Sequence, residues 1–310
     1  MSNKLNTLIH GRETYIADFG PKFVMKRPLP NTTESGCNEW LKKQRRTKSV
    51  IDAIADVGNP RYNIPRMTYI KDDEYQLLEE RAPGEHLTPE LFKSLNNRQR
   101  YEIIDGIAAF LVDMNELMPI DDIVRHKISD DIKFKRLDNF VNNKMDKMFT
   151  TSETMFLGRI RDEIGTFEYD TRAAWSHGDL NSGNVLYDPK TNVLSFIDFA
   201  EADYQFIYRD IFGPIQIELD IWNQVYEAYS KLHNKELYNM PSIRNPNLRA
   251  IMKYRIICAL LRRIIKASDD IKINTTTPKG LDNNNAKVAF IREQMKKIEF
   301  IEQSFKNNTR

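Results

Sequence analysis

Three side chains in the second half of the chain have the types and spacing to hold a phosphate and an attacking hydroxyl together. The segment His177-Gly178-Asp179-Leu180-Asn181-Ser182-Gly183-Asn184 runs into Val185-Leu186-Tyr187, a turn at Asp188-Pro189-Lys190, and then Ser195-Phe196-Ile197-Asp198-Phe199. Two carboxylates and one carboxamide thus sit on two loops joined by a hairpin, which brings Asp179, Asn184 and Asp198 toward one point. The order H-x-D-x-x-x-x-N followed by D-F-x is a pattern of phosphoryl transfer. That chemistry needs a group to position the acceptor hydroxyl and take its proton, a role that suits Asp179. It also needs hard oxygen donors to hold Mg²⁺ against the phosphates, a role that suits Asn184 and Asp198. His177 reads as a structural residue that places the loop by hydrogen bonding, since a proton shuttle two positions from Asp179 is redundant.

The elements that must position these residues are legible in outline. Between residues 5 and 27 short apolar runs (LNTLI, TYIADF, KFVMK) are broken by turn signals, which predicts three antiparallel strands. Residues 39–57 carry Trp40, Leu41, Val50, Ile51, Ile54 and Ala55 near helical spacing, with Gly58-Asn59-Pro60 as the stop. Two more strand-like runs, IPRMTYI and YQLLEER, flank the turn KDDE, and Pro83-Gly84 closes the segment. The stretches 87–118 and 132–167 have helical periodicity, residues 175–199 are strand-rich, and helices resume from 211 with loops near 239–241 and 274–280. The prediction is an α+β chain: a small β-rich N-terminal lobe with one helix, residues 1–83, then a larger mainly helical lobe, residues 84–310, holding the catalytic and metal loops at 175–212.

Composition removes several classes. The 310 residues are 41% hydrophobic and 29% charged, which excludes disorder and a collagen-like fibre. Lys and Arg number 46 against 44 Asp and Glu, a net charge of +2, so the chain lacks the positive field of a dedicated nucleic-acid binder. Cys37 and Cys258 lie far apart without metal-type spacing and read as reduced thiols, an expectation of a cytoplasmic protein. The first fifteen residues lack a signal-peptide pattern. The most apolar later stretch, 256–265, is cut by Arg262 and Arg263, so no membrane partner is expected.

The loop HGDLNSGNVLYD resembles that of the aminoglycoside phosphotransferase and choline kinase-like small-molecule kinases, which share the bilobal protein-kinase fold. The resemblance extends to Asp210 in YRDI, where those enzymes carry an Asp that supports the catalytic loops, to LLEERAPGEHL as a hinge, and to IAAFLVDMNEL. In the last of these, Asn115 stands where the family usually has His. The resemblance implies ATP as the nucleotide, with GTP left open, and Mg²⁺ as the metal. It implies that Lys26 reaches the phosphates and that Glu39 orients Lys26, as the Lys–Glu pair does in kinases. Glu34 is a nearby alternative, and a surface glutamate is the plain alternative to both. At the hinge it implies the Glu79 carbonyl and the Arg81 amide as the adenine-edge groups. Gly11, in the turn between the first two strands, lets backbone amides approach the phosphates or serves a plain hairpin.

The implied partner is a small-molecule acceptor. Residues 203–310 contain eighteen Lys and Arg against twelve Asp and Glu, and Arg255, Arg262 and Lys266 share one helical face with Lys253 and Arg263 nearby. This predicts a neutral or anionic acceptor, or else a solvated basic face. Glu201, Asp203, Asp121 and Asp122 are the carboxylates a cationic acceptor would use instead. Two other functions stand beside a small-molecule kinase: a kinase of protein hydroxyls, which the missing HRD arginine and A-P-E segment disfavour, and a nucleotide-binding module without turnover. The oligomeric state has no signature in the sequence.

Overall fold

The computed structural model describes residues 7–10, 14–117, 123–206, 209–211, 213–232, 246–271 and 277–307. Gly11, Asp121, Asp122 and the expected loop at 239–241 lie outside them, as do residues 274–276 of the loop expected at 274–280. Two compact units emerge from the contacts, one of Met1–Ile120 with Ala173–Asn234, the other of Asp121–Arg172 with Lys235–Arg310.

In the first unit the expected strands form a five-stranded antiparallel sheet. Strands β1 (Thr7–His10), β2 (Thr14–Asp18), β3 (Phe23–Pro28), β4 (Met67–Lys71) and β5 (Gln76–Glu80) lie in the order β1-β2-β3-β5-β4. Helix α1 (Glu34–Asp56) begins five residues before the predicted start because Thr33 caps it, its hydroxyl accepting from the Gly36 amide. Such a cap stabilises a helix by about 1 kcal/mol. Trp40, Leu41, Gln44, Thr47, Val50, Ile51 and Ile54 form its buried stripe.

After Pro83 the short strand β6 (Glu85–His86) pairs with β9 (Val185–Asp188), which forms a hairpin with β10 (Val193–Phe196). Gly84 makes this crossing possible: its φ is +91°, and a Cβ there would sit 2.4 Å from the Tyr187 carbonyl carbon. The helical stretch expected at 87–118 is two helices, α2 (Pro89–Ser94) and α3 (Asn97–Glu116). They separate because Asn96 starts the second with a capping box, exchanging hydrogen bonds with Gln99. Helix α3 lies against α7 (Trp222–Leu232), which follows the short helix α6 (Pro214–Glu218), and the buried Asn115, in place of the family's His, donates to the Tyr229 hydroxyl at 2.9 Å.

A cluster of rings links the segment before β4, α3 and the hairpin of this unit. Phe110 stacks on Phe196 at 3.9 Å, and Tyr62 meets both rings edge-on. Truncating a fully buried Phe such as Phe110 costs about 3–5 kcal/mol. This cluster draws residues on both sides of position 83 into one core, which is why the expected lobe boundary falls inside the first unit.

The second unit contains β7 (Ile123–Lys127), helices α4 (Phe134–Asn143) and α5 (Thr151–Thr166), the first half of β8 (Glu168–Ser176), and helices α8 (Pro246–Asp269) and α9 (Pro278–Asn307). Helices α8 and α9 pack on one another. Strand β8 begins seven residues before the expected strand-rich segment because its first half pairs with β7, and its second half pairs with β11 (Asp203–Phe206) in the first unit. The basic residues of α8 are engaged within this unit. Arg255 pairs with Asp131, both almost fully buried, and Arg262 donates to the Asp131 carbonyl at 2.7 Å. Lys253 pairs with Glu163 and Glu302. Of that face, Lys253 and Arg255 are therefore paired inside the fold, whereas Arg262 and Lys266 are exposed. Among the described residues no helix is long and apolar enough to cross a membrane.

Candidate active site

His177 is fully buried and fixes the catalytic loop from beneath. Its Nε2 faces the Ile197 carbonyl at 2.9 Å, and the Asp179 amide donates to its Nδ1 at 3.4 Å. A carbonyl can only accept, so these contacts place the ring proton on Nε2. The ring packs on Phe199 at 4.6 Å and edge-on to Phe110. With both nitrogens engaged by backbone, His177 has the structural role expected of it.

Asp210 acts from the other side. Its carboxylate accepts from the Ser176 hydroxyl and from the amides of His177 and Gly178, three donors converging on one buried acid. Arg209 donates to the Gly178 carbonyl at 3.2 Å, and Gln216 to the Asp210 carbonyl at 2.9 Å. Gly178 has a φ of +83°, and a Cβ there would lie 2.1 Å from the Glu201 carbonyl oxygen. The two loops therefore touch backbone to backbone at this glycine.

The exposed Asp179 is held by Asn184, whose Nδ2 donates to the Asp179 carbonyl at 2.8 Å and to its Oδ2 at 3.1 Å. Asn181 stabilises the same turn, accepting from Gly183 at 2.8 Å and donating to the Asp179 carbonyl at 3.1 Å. Asn184 is tied to the second loop by the Ile197 amide, which donates to its carbonyl at 3.0 Å immediately before Asp198. Asp198 adopts left-handed backbone angles, φ 60° and ψ 63°, a conformation that costs a non-glycine residue energy and is common at functional sites. Asp179 and Asn184 are thus bonded to one another at the open end of the β9–β10 hairpin, and Asp198 lies on the loop that leaves the same end.

The donor set suits a hard cation. Because Asn184 uses its nitrogen on Asp179, its Oδ1 is the atom it offers, and Asp198 follows Ile197, whose amide is bonded to the Asn184 carbonyl. Among the described residues no three His, Cys, Asp or Glu side chains converge as a protein-only metal cage. Mg²⁺ fits such a site, since it is commonly held by one or two protein oxygens with phosphates supplying others.

Lys26 lies in β3 and does not pair with Glu39. Its Nζ meets Glu79 Oε2 at 2.7 Å, with Glu79 only 6% exposed, whereas Glu39 is exposed on α1. Register explains the pair: Val24 stands opposite Glu79 and Lys26 opposite Leu77, so Lys26 and Glu79 are diagonal neighbours on one sheet face. Burial pushes the Lys26 amine down, but the charge and hydrogen bond of Glu79 and the charge of Asp198 together hold it above the usual lysine range.

Arg81 also departs from expectation. Its amide donates to the Lys22 carbonyl at 2.8 Å, and its guanidinium pairs with Asp18. It closes the β2–β3 turn, and the N–H expected to meet a base edge is already engaged. The Glu80 amide points the other way, donating to the Arg66 carbonyl at 2.9 Å. By the two-residue alternation of a strand, the backbone groups of Glu80 and Ala82 face the side opposite Arg81.

Sequence reasoning did not find how α1 serves the site. Lys43 pairs with Glu201 at 3.1 Å, and Arg46 pairs with Asp203 at 3.4 Å and donates to the Ala202 carbonyl at 2.6 Å. Those carboxylates, expected to be available to a cationic acceptor, hold the loop that follows Asp198 against α1. The visible signal was basic residues three apart on one helix, without the partner segment that gives them meaning.

The chain resembles the ethanolamine kinase of Drosophila melanogaster (35% identical over 96 residues, 29% of this chain) and a probable ethanolamine kinase A of Dictyostelium discoideum (60% over 30 residues, 10% of this chain). The matched segments span only 16% and 9% of those proteins. Among solved structures it resembles the GDP complex of wild-type aminoglycoside 2'-phosphotransferase-IIIa, at 14% identity and a TM-score of 0.62, covering 95% of this chain and 93% of that one. It also resembles a choline/ethanolamine kinase family protein from Mesorhizobium loti, at 11% identity and a TM-score of 0.56, covering 98% and 92%. At such identities the likeness is one of fold, the protein-kinase-like arrangement of a β-rich N-terminal part and a mostly helical C-terminal part. The sequence signature described as the phosphotransferase enzyme family matches residues 20–233, a span that contains Lys26, the catalytic loop and Asp210, and the chain belongs to that family.

Proposed function

We propose that the protein transfers the γ-phosphoryl group of ATP, with Mg²⁺, to the hydroxyl of a small amino alcohol. The observation that carries the transfer chemistry is the anchoring of Asp179 by the Asn184 carboxamide, which leaves an exposed, oriented carboxylate beside that carboxamide. Asp179 aligns the acceptor hydroxyl with the phosphorus and takes its proton as the new bond forms. Lys26, from the nucleotide-binding part at 1–83, holds phosphate oxygens and offsets charge that builds as the leaving group departs. Mg²⁺ held by Asn184 and Asp198 would supply further charge neutralisation at the phosphates. The Glu80 carbonyl and Ala82 amide take the adenine edge, one step along from the groups first expected.

The acceptor is argued from two supports. Curated relatives named as ethanolamine kinases share 35% and 60% identity over short segments. Two of the basic residues that pointed to a neutral or anionic acceptor, Lys253 and Arg255, are paired with Glu163, Glu302 and Asp131, which weakens the ground for that expectation.

ADP release by the purified chain with ATP and Mg²⁺ tests the proposal against ethanolamine, choline, an aminoglycoside, a neutral sugar and a protein substrate. Stimulation by an amino alcohol, with phosphate recovered on its oxygen, is the expected result. Stimulation by the sugar or the protein alone overturns the acceptor class, and no release with any of them, alongside intact ATP binding, favours a module without turnover.

A further inference from the structure

We propose that the Glu79 side chain is the positioning residue for the phosphate-binding amine of Lys26, a role that belongs here to the sheet and not to α1. The inference rests on the nucleotide role proposed for Lys26 and deepens it. The two groups are diagonal neighbours on β3 and β5, 2.7 Å apart, and both side chains are largely buried. A lone carboxylate at this depth is strongly disfavoured, so the site holds Glu79 only with a cation beside it. An ammonium has three donors, and Glu79 takes one, which leaves two for phosphate oxygens in directions set by the first. Glu79 thus restrains the amine without exhausting it.

The helix is otherwise occupied. Glu39 is exposed, and the basic residues Lys43 and Arg46 of α1 face the loop at Glu201, Ala202 and Asp203. In this chain the helix holds the metal loop and the sheet holds the lysine. A pair built across hydrogen-bonded strands takes its geometry from strand register, so the placement of the lysine amine does not draw on the helix.

The test compares Glu79→Gln, Glu79→Asp and Glu39→Gln in the full chain with wild type. ATP affinity is measured by calorimetry with Mg²⁺, and acylation of Lys26 by acetic anhydride is followed by peptide mass spectrometry with and without ATP. Loss of a hydrogen bond to a charged group predicts that Glu79→Gln weakens ATP by about tenfold or more. The freed amine also acylates faster, because its protonated form loses its partner. Glu79→Asp recovers part of both properties, and Glu39→Gln stays within about twofold of wild type in each. A merely structural role for Glu79 would lower the melting temperature and leave Lys26 reactivity in the folded protein unchanged.

Wild-type ATP affinity in Glu79→Gln, or an equal loss in Glu39→Gln, overturns the assignment. Should Glu79→Gln fail to fold, Glu79→Asp carries the same comparison with the carboxylate retained. A wild-type chain in which ATP does not shield Lys26 overturns it as well. Shielding of Lys26 without transfer to any acceptor instead overturns the function proposed above and leaves the Lys26–Glu79 assignment standing.

Discussion

An exposed carboxylate can direct a proton only if it does not wander, and Asn184 restrains Asp179 through both its backbone carbonyl and its Oδ2. Replacing Asp179 by Asn keeps the size of the side chain and removes its basicity. Turnover should fall by roughly 10²–10⁴-fold, the range for a positioned general base, while ATP affinity stays near wild type. Single-turnover kinetics with a calorimetric Kd separates the two effects, and turnover close to wild type would refute the role. These residues were readable in the sequence because the catalytic loop, Asp198 and Asp210 occupy one stretch of 34 positions whose types have few other uses together. The partner of Lys26 was not readable, since it lies 53 residues away and is chosen by strand register. The resemblance supplied Glu39 instead, and register overruled it. Arg81 failed for a similar reason: the side of a strand on which an amide points depends on which neighbour pairs first, and Lys22 claims it.

At the scale of elements, the site is a joint between two loops, and its tightest point is Gly178. A methyl group there would stand 2.1 Å from the Glu201 carbonyl oxygen on a backbone with φ +83°, so Gly178→Ala must force the loops apart or unwind the turn. The expected cost is about 1–3 kcal/mol of stability for the strained backbone, with a larger loss of activity, because the displaced backbone carries Asp179. Chemical denaturation beside an activity assay checks this, and unchanged values in both would show that the loops are not coupled there. The strands of the first sheet and α1 were legible because their apolar residues recur at periods of two and about 3.6 and end at strong turn signals. Strand β7 and the start of β8 were not, since helical and extended periodicities overlap in short runs. What makes residues 168–172 a strand is the pairing with β7, a tertiary fact. The split between α2 and α3 turned on one capping box, a signal present in Asn96 and Gln99 but submerged in a continuous apolar pattern.

Across the whole molecule, charge that looks like surface in the sequence is structural in the fold. Eighteen Lys and Arg in the last 108 residues suggested a basic field, yet Arg255 of α8 is spent on Asp131, and Lys253 on Glu163 and Glu302. A count of charges cannot distinguish these cases, because pairing depends on where α8 lies against the chain before α4. Asp131 makes the consequence measurable. Burial raises its pKa, but hydrogen bonds from His126 and Arg255 and their charges outweigh burial and hold the acid below its ordinary value of 3.8. A depressed folded pKa means the pair contributes its full stability above 3.8, and the contribution is lost as pH falls through the folded value. Asp131→Asn removes the carboxylate facing the buried Arg255 and should cost about 3–5 kcal/mol near neutrality. The gap between wild type and Asp131→Asn should hold steady from neutral pH down to about 4 and narrow in more acidic solution. Denaturant titrations in steps of pH measure that gap directly. A gap that stayed constant into strong acid would mean that Asp131 is protonated or unpaired throughout, and the basic face would again be a candidate surface for an anionic ligand.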